Sequence, residues 1–164
     1  MIGVVTLVGG LAGALTGGAL SDRWVQRGSR GGRMRATMIW WAGSLLTIPC
    51  LALAPSALTA ALAYMGFIFF NSLTYVSMPA AFQDMVPPAL RGRITSFWYV
   101  VTYIGAGAAP LATGLVTDRW FHSPNALPQA LVAITVPVIL AGFLCSLRAV
   151  PAYEVMRAQI VDTD

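Results

Sequence analysis

The chain has 164 residues, 57% of them hydrophobic and only 10% charged, with a formal net charge of +4. Soluble domains carry roughly a quarter charged residues, so this composition excludes an ordinary water-soluble globule. All ten basic residues are arginine, which removes the phosphate-cradling lysine of P-loops and Schiff-base chemistry.

Residues 1–21, 36–83, 94–117 and 120–147 contain no Asp, Glu, Lys or Arg. Crossing a hydrocarbon layer about 30 Å thick takes about 20 apolar helical residues. Lipid offers no water to unpaired backbone groups, so runs of this length without period-2 alternation predict helices rather than strands. In chain order the predicted spans cover residues 1–20, 36–54, 57–82, 94–117 and 126–147, with a cytoplasmic tail over 148–164. Pro55-Ser56 divides the longest apolar run into two antiparallel helices, because proline breaks a helix and disfavours helical geometry just before itself. The first run has no positive flank before it and a basic cluster after it, the order of a retained span rather than a secretory signal.

Arginine placement predicts the orientation. Arg23, Arg27, Arg30, Arg33, Arg35, Arg91, Arg93, Arg148 and Arg157 border one face, and Arg119 alone borders the other. The positive-inside rule makes the first face cytoplasmic. The C-terminus is then inside and Met1 outside, and an odd helix count with an outside start predicts a partner helix upstream. These arginines flank apolar segments and form no soluble basic face to track phosphates, so nucleic acid is not an expected partner. Cys50 and Cys145 lie inside apolar runs and read as small hydrophobes, while His122 has no ligand-type neighbour at metal spacing. No metal or other cofactor is called for.

Small residues recur four apart: Gly9, Gly13 and Gly17, then Gly10, Ala14 and Gly18 in the first span, and Ala106, Pro110 and Gly114 in the fourth. Such faces let helix backbones approach closely in lipid, where no hydrophobic drive brings helices together. The stretch from Gly9 to Trp24 also aligns without gaps on Gly105 to Trp120, and both copies end in Gly-x-x-[Ser/Thr]-Asp-Arg-Trp. The predicted topology places the two endings on opposite faces, the pattern of inverted-repeat transporters. Gly114, Asp118 and Arg119 are then the counterparts of Gly18, Asp22 and Arg23.

At Gly18-Ala-Leu-Ser-Asp-Arg-Trp-Val-Gln-Arg-Gly-Ser-Arg the sequence resembles the cytoplasmic signature of the major facilitator superfamily, with Gly18, Leu20, Asp22 and Arg23 matching in place. Gly28 stands three residues later than the family pattern puts its next glycine. Gln83-Asp-Met-Val-Pro-Pro-Ala-Leu-Arg-Gly-Arg-Ile-Thr-Ser, followed by the second Asp-Arg-Trp copy, resembles the family's junction between the tenth and eleventh helices, in a form most similar to spinster-like bacterial carriers. The resemblance covers nearly the whole chain. It implies an all-α transmembrane fold in which five membrane-spanning helices, numbers eight to twelve, form part of a six-helix half, with the N-terminal half of the transporter as the missing partner.

Asp22 and Arg23 form the leading expected site. A carboxylate at a helix end beside guanidiniums makes charge-assisted bonds to a neighbouring helix end in one transport state and not another. Gly18 and Arg27 complete this gating motif, and the arginines beyond Arg23 are expected to set orientation against anionic lipid. Arg91 and Gly92 read as a cytoplasmic hinge and anchor. The resemblance makes the tenth and eleventh helices cavity-lining, which marks Asn71, Tyr75, Trp98 and Tyr99 as substrate-cavity candidates. Asn71 falls near mid-membrane, where an amide needs a partner or water. No ionisable residue lies within any predicted span, which points to an apolar, aromatic or amphipathic solute.

The expectation is therefore a fragment of a secondary transporter in a bacterial inner membrane, moving a small organic solute by alternating access, with the lipid bilayer, the solute and the N-terminal half as partners. The bacterial assignment rests on the alanine- and arginine-rich, lysine-free composition. The alternative is a small polytopic membrane protein with an assembly or interaction role and no transport path. An enzyme is not expected, since no nucleophile, base and orienter stand together.

Overall fold

The computed structural model describes residues 2–28, 31–122 and 127–161. Met1, Arg30, residues 123–126 of the Arg119 loop and residues 162–164 of the tail lie outside the described residues. Five α-helices follow one another: α1 (Ile2–Gln26), α2 (Gly32–Ala52), α3 (Ala57–Gln83), α4 (Arg91–Val116) and α5 (Leu127–Val161). A 3-10 turn, Pro88–Leu90, precedes α4, and a π-helical turn, Thr117–Phe121, extends it. No strand occurs among the described residues.

The helix ends follow local chemistry. Ser56 caps α3: its Oγ accepts from the Thr59 amide at 3.2 Å, and its own amide donates to Thr59 Oγ1 at 3.0 Å. This reciprocal capping box satisfies two of the otherwise orphaned N–H groups at the helix start. Ser56→Ala should cost about 1 kcal/mol, read as a lowered thermal midpoint in detergent. At the other end α3 gives way at Asp84, ahead of Pro87 and Pro88. The π turn after α4 closes at His122, whose φ of 50° is left-handed and whose amide donates to the Thr117 carbonyl at 3.0 Å.

Packing contacts fix the helix directions. Cβ atoms built at Gly9 and Gly17 of α1 would meet Met65 O and Leu73 Cα of α3 at 2.9 Å each, and one at Gly13 would meet Phe69 O closer still. The pairs 9/65, 13/69 and 17/73 advance together, so α1 and α3 are parallel, and the glycine face is where their backbones touch. Trp40 Nε1 of α2 donates to Ser77 Oγ of α3 at 3.3 Å, and Gly66 of α3 faces Thr47 of α2. These contacts run antiparallel. So do those of α2 with α5, through Trp41 on Gly142 and Arg35 on Glu154. Gln83 Nε2 of α3 donates to Thr95 Oγ1 of α4 at 2.8 Å, and Phe82 packs on Trp98 with ring centroids 5.4 Å apart. Thus α1, α3 and α5 point one way and α2 and α4 the other. Arg23, Arg27, Arg33, Arg35, Arg91, Arg93, Arg148 and Arg157 gather at one end of the bundle, with Arg119 at the other.

Two clusters form the core. Ala36, Trp40 and Leu73 pack with Leu20, Trp24, Phe69 and Phe70. Nearer the arginine-rich end, Met34, Ala81 and Tyr153 pack with Met85, Ala149 and Val150. The fourth helix is different. Only Thr113 is buried within α4, and nothing lies within 4 Å of a Cβ placed at Gly105, Gly107 or Gly114. The small-residue spacing expected to pack in α4 is therefore uncovered, while the equivalent face of α1 is a helix contact.

The structure also changes the span count. Among the described residues four helices are long and apolar enough to cross a membrane: Ile2–Gln26, Ala57–Gln83, Pro88–Phe121 and Gln129–Ala158. That fits a multi-pass, all-α membrane protein. Of the five expected crossings, α2 falls short of that combination of length and hydropathy because it carries Arg33 and Arg35 in its first turn and the polar-edged Trp40 and Trp41 further on, and ends at Ala52. Residues from 148 onward, expected as a tail, continue α5 as far as Val161.

Candidate functional site

The expected gating residue, Asp22, sits in the last turns of α1, half-exposed, where α1 ends beside the start of α2. Its partner is Arg33 rather than the adjacent Arg23. Arg33 Nη2 donates to Asp22 Oδ1 at 2.8 Å, and Nη1 donates to Asp84 Oδ1 at 2.7 Å and to the Ala80 carbonyl at 3.4 Å. The Tyr153 hydroxyl donates to the other oxygen of Asp84 at 2.8 Å. One guanidinium thus joins the ends of α1 and α3 to the start of α2, and Tyr153 ties α5 to the same carboxylate. Arginine suits this role because its planar fork serves two acceptors in fixed directions.

Burial grades the network. Side-chain exposure is 20% at Arg33, 21% at Asp84 and 53% at Asp22. Burial opposes the Arg33 charge, but the Asp22 hydrogen bond and the negative charges of Asp84 and Asp22 outweigh it and hold its pKa above the ordinary arginine value. The buried Asp84 is therefore the anchor, and Asp22 is a carboxylate held at the bundle edge with an open side. A second ion pair, Arg35 Nη2 to Glu154 Oε1 at 2.7 Å, links α2 to the α5 extension. Both partners are substantially exposed, so Arg35→Ala should cost at most about 1 kcal/mol, a shift of a few degrees in a thermal melt.

The other expected residues divide. A Cβ placed at Gly18 would meet Val76 Cγ1 at an ordinary 3.8 Å, while Arg23 and Arg27 are exposed. Arg91 and Gly92 are also exposed, with nothing within 4 Å of a Cβ at Gly92 among the described residues. Gly114, Asp118 and Arg119 lie at the far end of α4 and its π turn, and Asp118 and Arg119 make no ion pair among the described residues. The repeat therefore does not reproduce the Asp22 network at the opposite end. Of the cavity candidates, Tyr75 and Tyr99 come together across α3 and α4, with ring centroids 6.1 Å apart. Trp98 packs on Phe82, and its Nε1 is buried without a partner. Asn71 is exposed.

Arg33, Asp84, Tyr153 and Glu154 were not singled out from sequence. Charge scarcity was the available signal: with only six acidic residues in the chain, an Asp at 84 and a Glu at 154, each ending an apolar segment on the arginine-rich side, had to find basic partners there. No protein-family model, curated protein or solved structure significantly matches the chain.

Proposed function

We propose that the five helices are helices eight to twelve of a facilitator-type secondary transporter, most similar to spinster-like carriers, moving a small organic solute by alternating access. The observation that carries this reading is the presentation of Asp22. The Asp-Arg pair of the resembling signature lies at a helix end, and Arg33, anchored on Asp84, holds the carboxylate with one side open. An open carboxylate beside guanidiniums is suited to charge-assisted bonds with a partner half, made in one transport state and broken in the other. In this reading α2 is the fifth crossing, its charge-free stretch from Ala36 continuing to Pro55, and the N-terminal half of the carrier packs on the bundle.

In this reading the Asp22 end and the C-terminus face the cytoplasm of a bacterial inner membrane, an orientation that the arginine asymmetry supports through the positive-inside rule. The solute class follows from ion-free spans and from the aromatic residues between α3 and α4. The test is counterflow into proteoliposomes carrying the intact transporter, with aromatic and amphipathic organic solutes as probes. Saturable counterflow of at least one is expected; none, with correctly inserted protein, overturns the reading. The uncovered face of α4 favours a second reading, a membrane protein whose work is to dock a partner helix, and that reading predicts co-purification of a partner without counterflow.

A further inference from the structure

Near the arginine-rich end, an apolar cavity of about 250 Å³ is lined by Phe82 of α3 and by Ile94, Phe97, Trp98 and Val101 of α4. Phe97 is 66% and Val101 50% exposed, so the cavity borders whatever surrounds the bundle. Arg93, Phe97 and Val101 stand four residues apart on one stripe of α4, and Arg91, Ile94 and Trp98 follow the adjoining one, the spacing that makes helical neighbours. At 1.5 Å per residue, Phe97 lies about 6 Å and Val101 about 12 Å along the helix from Arg93. Two cations thus stand at the helix end above an apolar hollow. The chain supplies them no counter-charge. Residues 85–117 contain no Asp or Glu, and Asp84 is taken by Arg33 and Tyr153. Arg91 and Arg93 are both exposed and make no ion pair among the described residues.

Size and charge narrow the occupant. A site that encloses a small molecule has roughly 300–1,000 Å³, so this cavity admits one part of a molecule while the rest stays outside. A helix, about 10 Å wide with its side chains, does not enter, and an apolar wall leaves water without partners. A glycerophospholipid matches the order found along α4. From the membrane surface inward it presents a phosphate, glycerol esters and an acyl chain, where α4 presents arginines and then an apolar hollow. Basic side chains at a helix end attract anionic headgroups, and the acyl chain already lies in the layer that the helix crosses. A zwitterionic lipid offers the same phosphate but brings its own cation beside it, which Arg91 and Arg93 repel.

We propose that Arg91, Arg93 and the cavity beneath them hold one anionic glycerophospholipid from the leaflet at the arginine-rich end, its phosphate on the guanidiniums and one acyl chain in the cavity. This lipid is a resident of the bundle and not a transported solute, and the proposal stands without the carrier reading. The test is native mass spectrometry of the chain released from detergent micelles. The probes are dioleoylphosphatidylglycerol, dioleoylphosphatidylcholine and glycerophosphoglycerol, the last being the anionic headgroup without its chains. Phosphatidylglycerol should bind at least about tenfold more tightly than phosphatidylcholine, and at least about tenfold more tightly than the bare headgroup. Arg91→Gln combined with Arg93→Gln should bring phosphatidylglycerol down to the level of phosphatidylcholine. Val101→Trp, which fills the cavity and leaves the charge unchanged, should weaken both lipids several-fold. Arg148→Gln, at another exposed arginine of the same end, should change neither. All four substituted residues are exposed, so the fold survives each change. Equal affinity for the two lipids overturns the proposal, as does a bare headgroup that binds as tightly as the whole lipid. Phosphatidylglycerol affinity unchanged in the double glutamine variant or in Val101→Trp, or an equal loss in Arg148→Gln, overturns it as well.

Discussion

Gly13→Leu should separate α1 from α3 and lower stability by about 3 kcal/mol. Even a Cβ at this position enters the Phe69 carbonyl and comes within 2.9 Å of Ser72 Cβ. Those obstacles are backbone and a short side chain, which cannot swing aside as the end of a long side chain would. Close-packed interiors transmit such strain instead of absorbing it, so α1 must move outward along the whole Gly9, Gly13 and Gly17 face. For a chain of this size the thermal midpoint should fall by about 6–12 °C. Gly105→Leu provides the contrast. It adds the same volume where nothing lies within 4 Å, and replacing glycine in an exposed helix raises helix propensity. An unchanged or slightly higher midpoint is expected for Gly105→Leu, measured beside Gly13→Leu in the same detergent.

Arg33→Ala should be the most damaging change at the arginine-rich end. It strands Asp84, which is four-fifths buried, leaving it the hydrogen bond from the Tyr153 hydroxyl. Breaking a fully buried pair costs about 3–5 kcal/mol; partial exposure here reduces that to about 2–3 kcal/mol. Little of it comes from Asp22, which is half in solvent, where ion pairs are worth at most about 1 kcal/mol. Arg33→Lys should recover only part of the loss, because a point charge cannot serve two carboxylates in fixed directions. Asp84→Asn combined with Arg33→Ala should cost less than the sum of the single changes, since the pair shares one network. Chemical or thermal denaturation of the wild type, Arg33→Ala, Asp84→Asn and the double variant supplies the cycle, and full additivity would show that Arg33 and Asp84 do not act together.

The contrast between α1 and α4 shows where sequence reading stops. Both carry small residues four apart, and the spacing announced a packing face in each. Only tertiary placement decides whether a neighbour arrives: Met65, Phe69 and Leu73 present backbone to the first face, and nothing covers the second. Helix positions were legible because charge-free length is a local property, as was the capping start at Ser56. The network was only half legible. Asp22 belongs to a local motif, but its partner Arg33 lies across a turn, Asp84 ends another helix, and Tyr153 follows a span whose expected tail proved helical. Pairing over such separations follows from helix direction and rotation, which no single segment encodes. The aromatic candidates behaved similarly. Spacing put Tyr75 and Tyr99 on their helices, and the antiparallel register of α3 and α4 brought their rings together.

The proposed gate is tested most directly by Asp22→Asn in the carrier to which this chain is proposed to belong. The amide retains the size of the side chain and removes its charge, and the half-exposed position makes a stability loss small. Insertion and thermal midpoint should match the wild type to within a few degrees, while solute counterflow in proteoliposomes falls at least about tenfold. That would correspond to about 1.4 kcal/mol of lost stabilisation in the transport cycle. Wild-type counterflow from a correctly inserted Asp22→Asn protein would contradict the account.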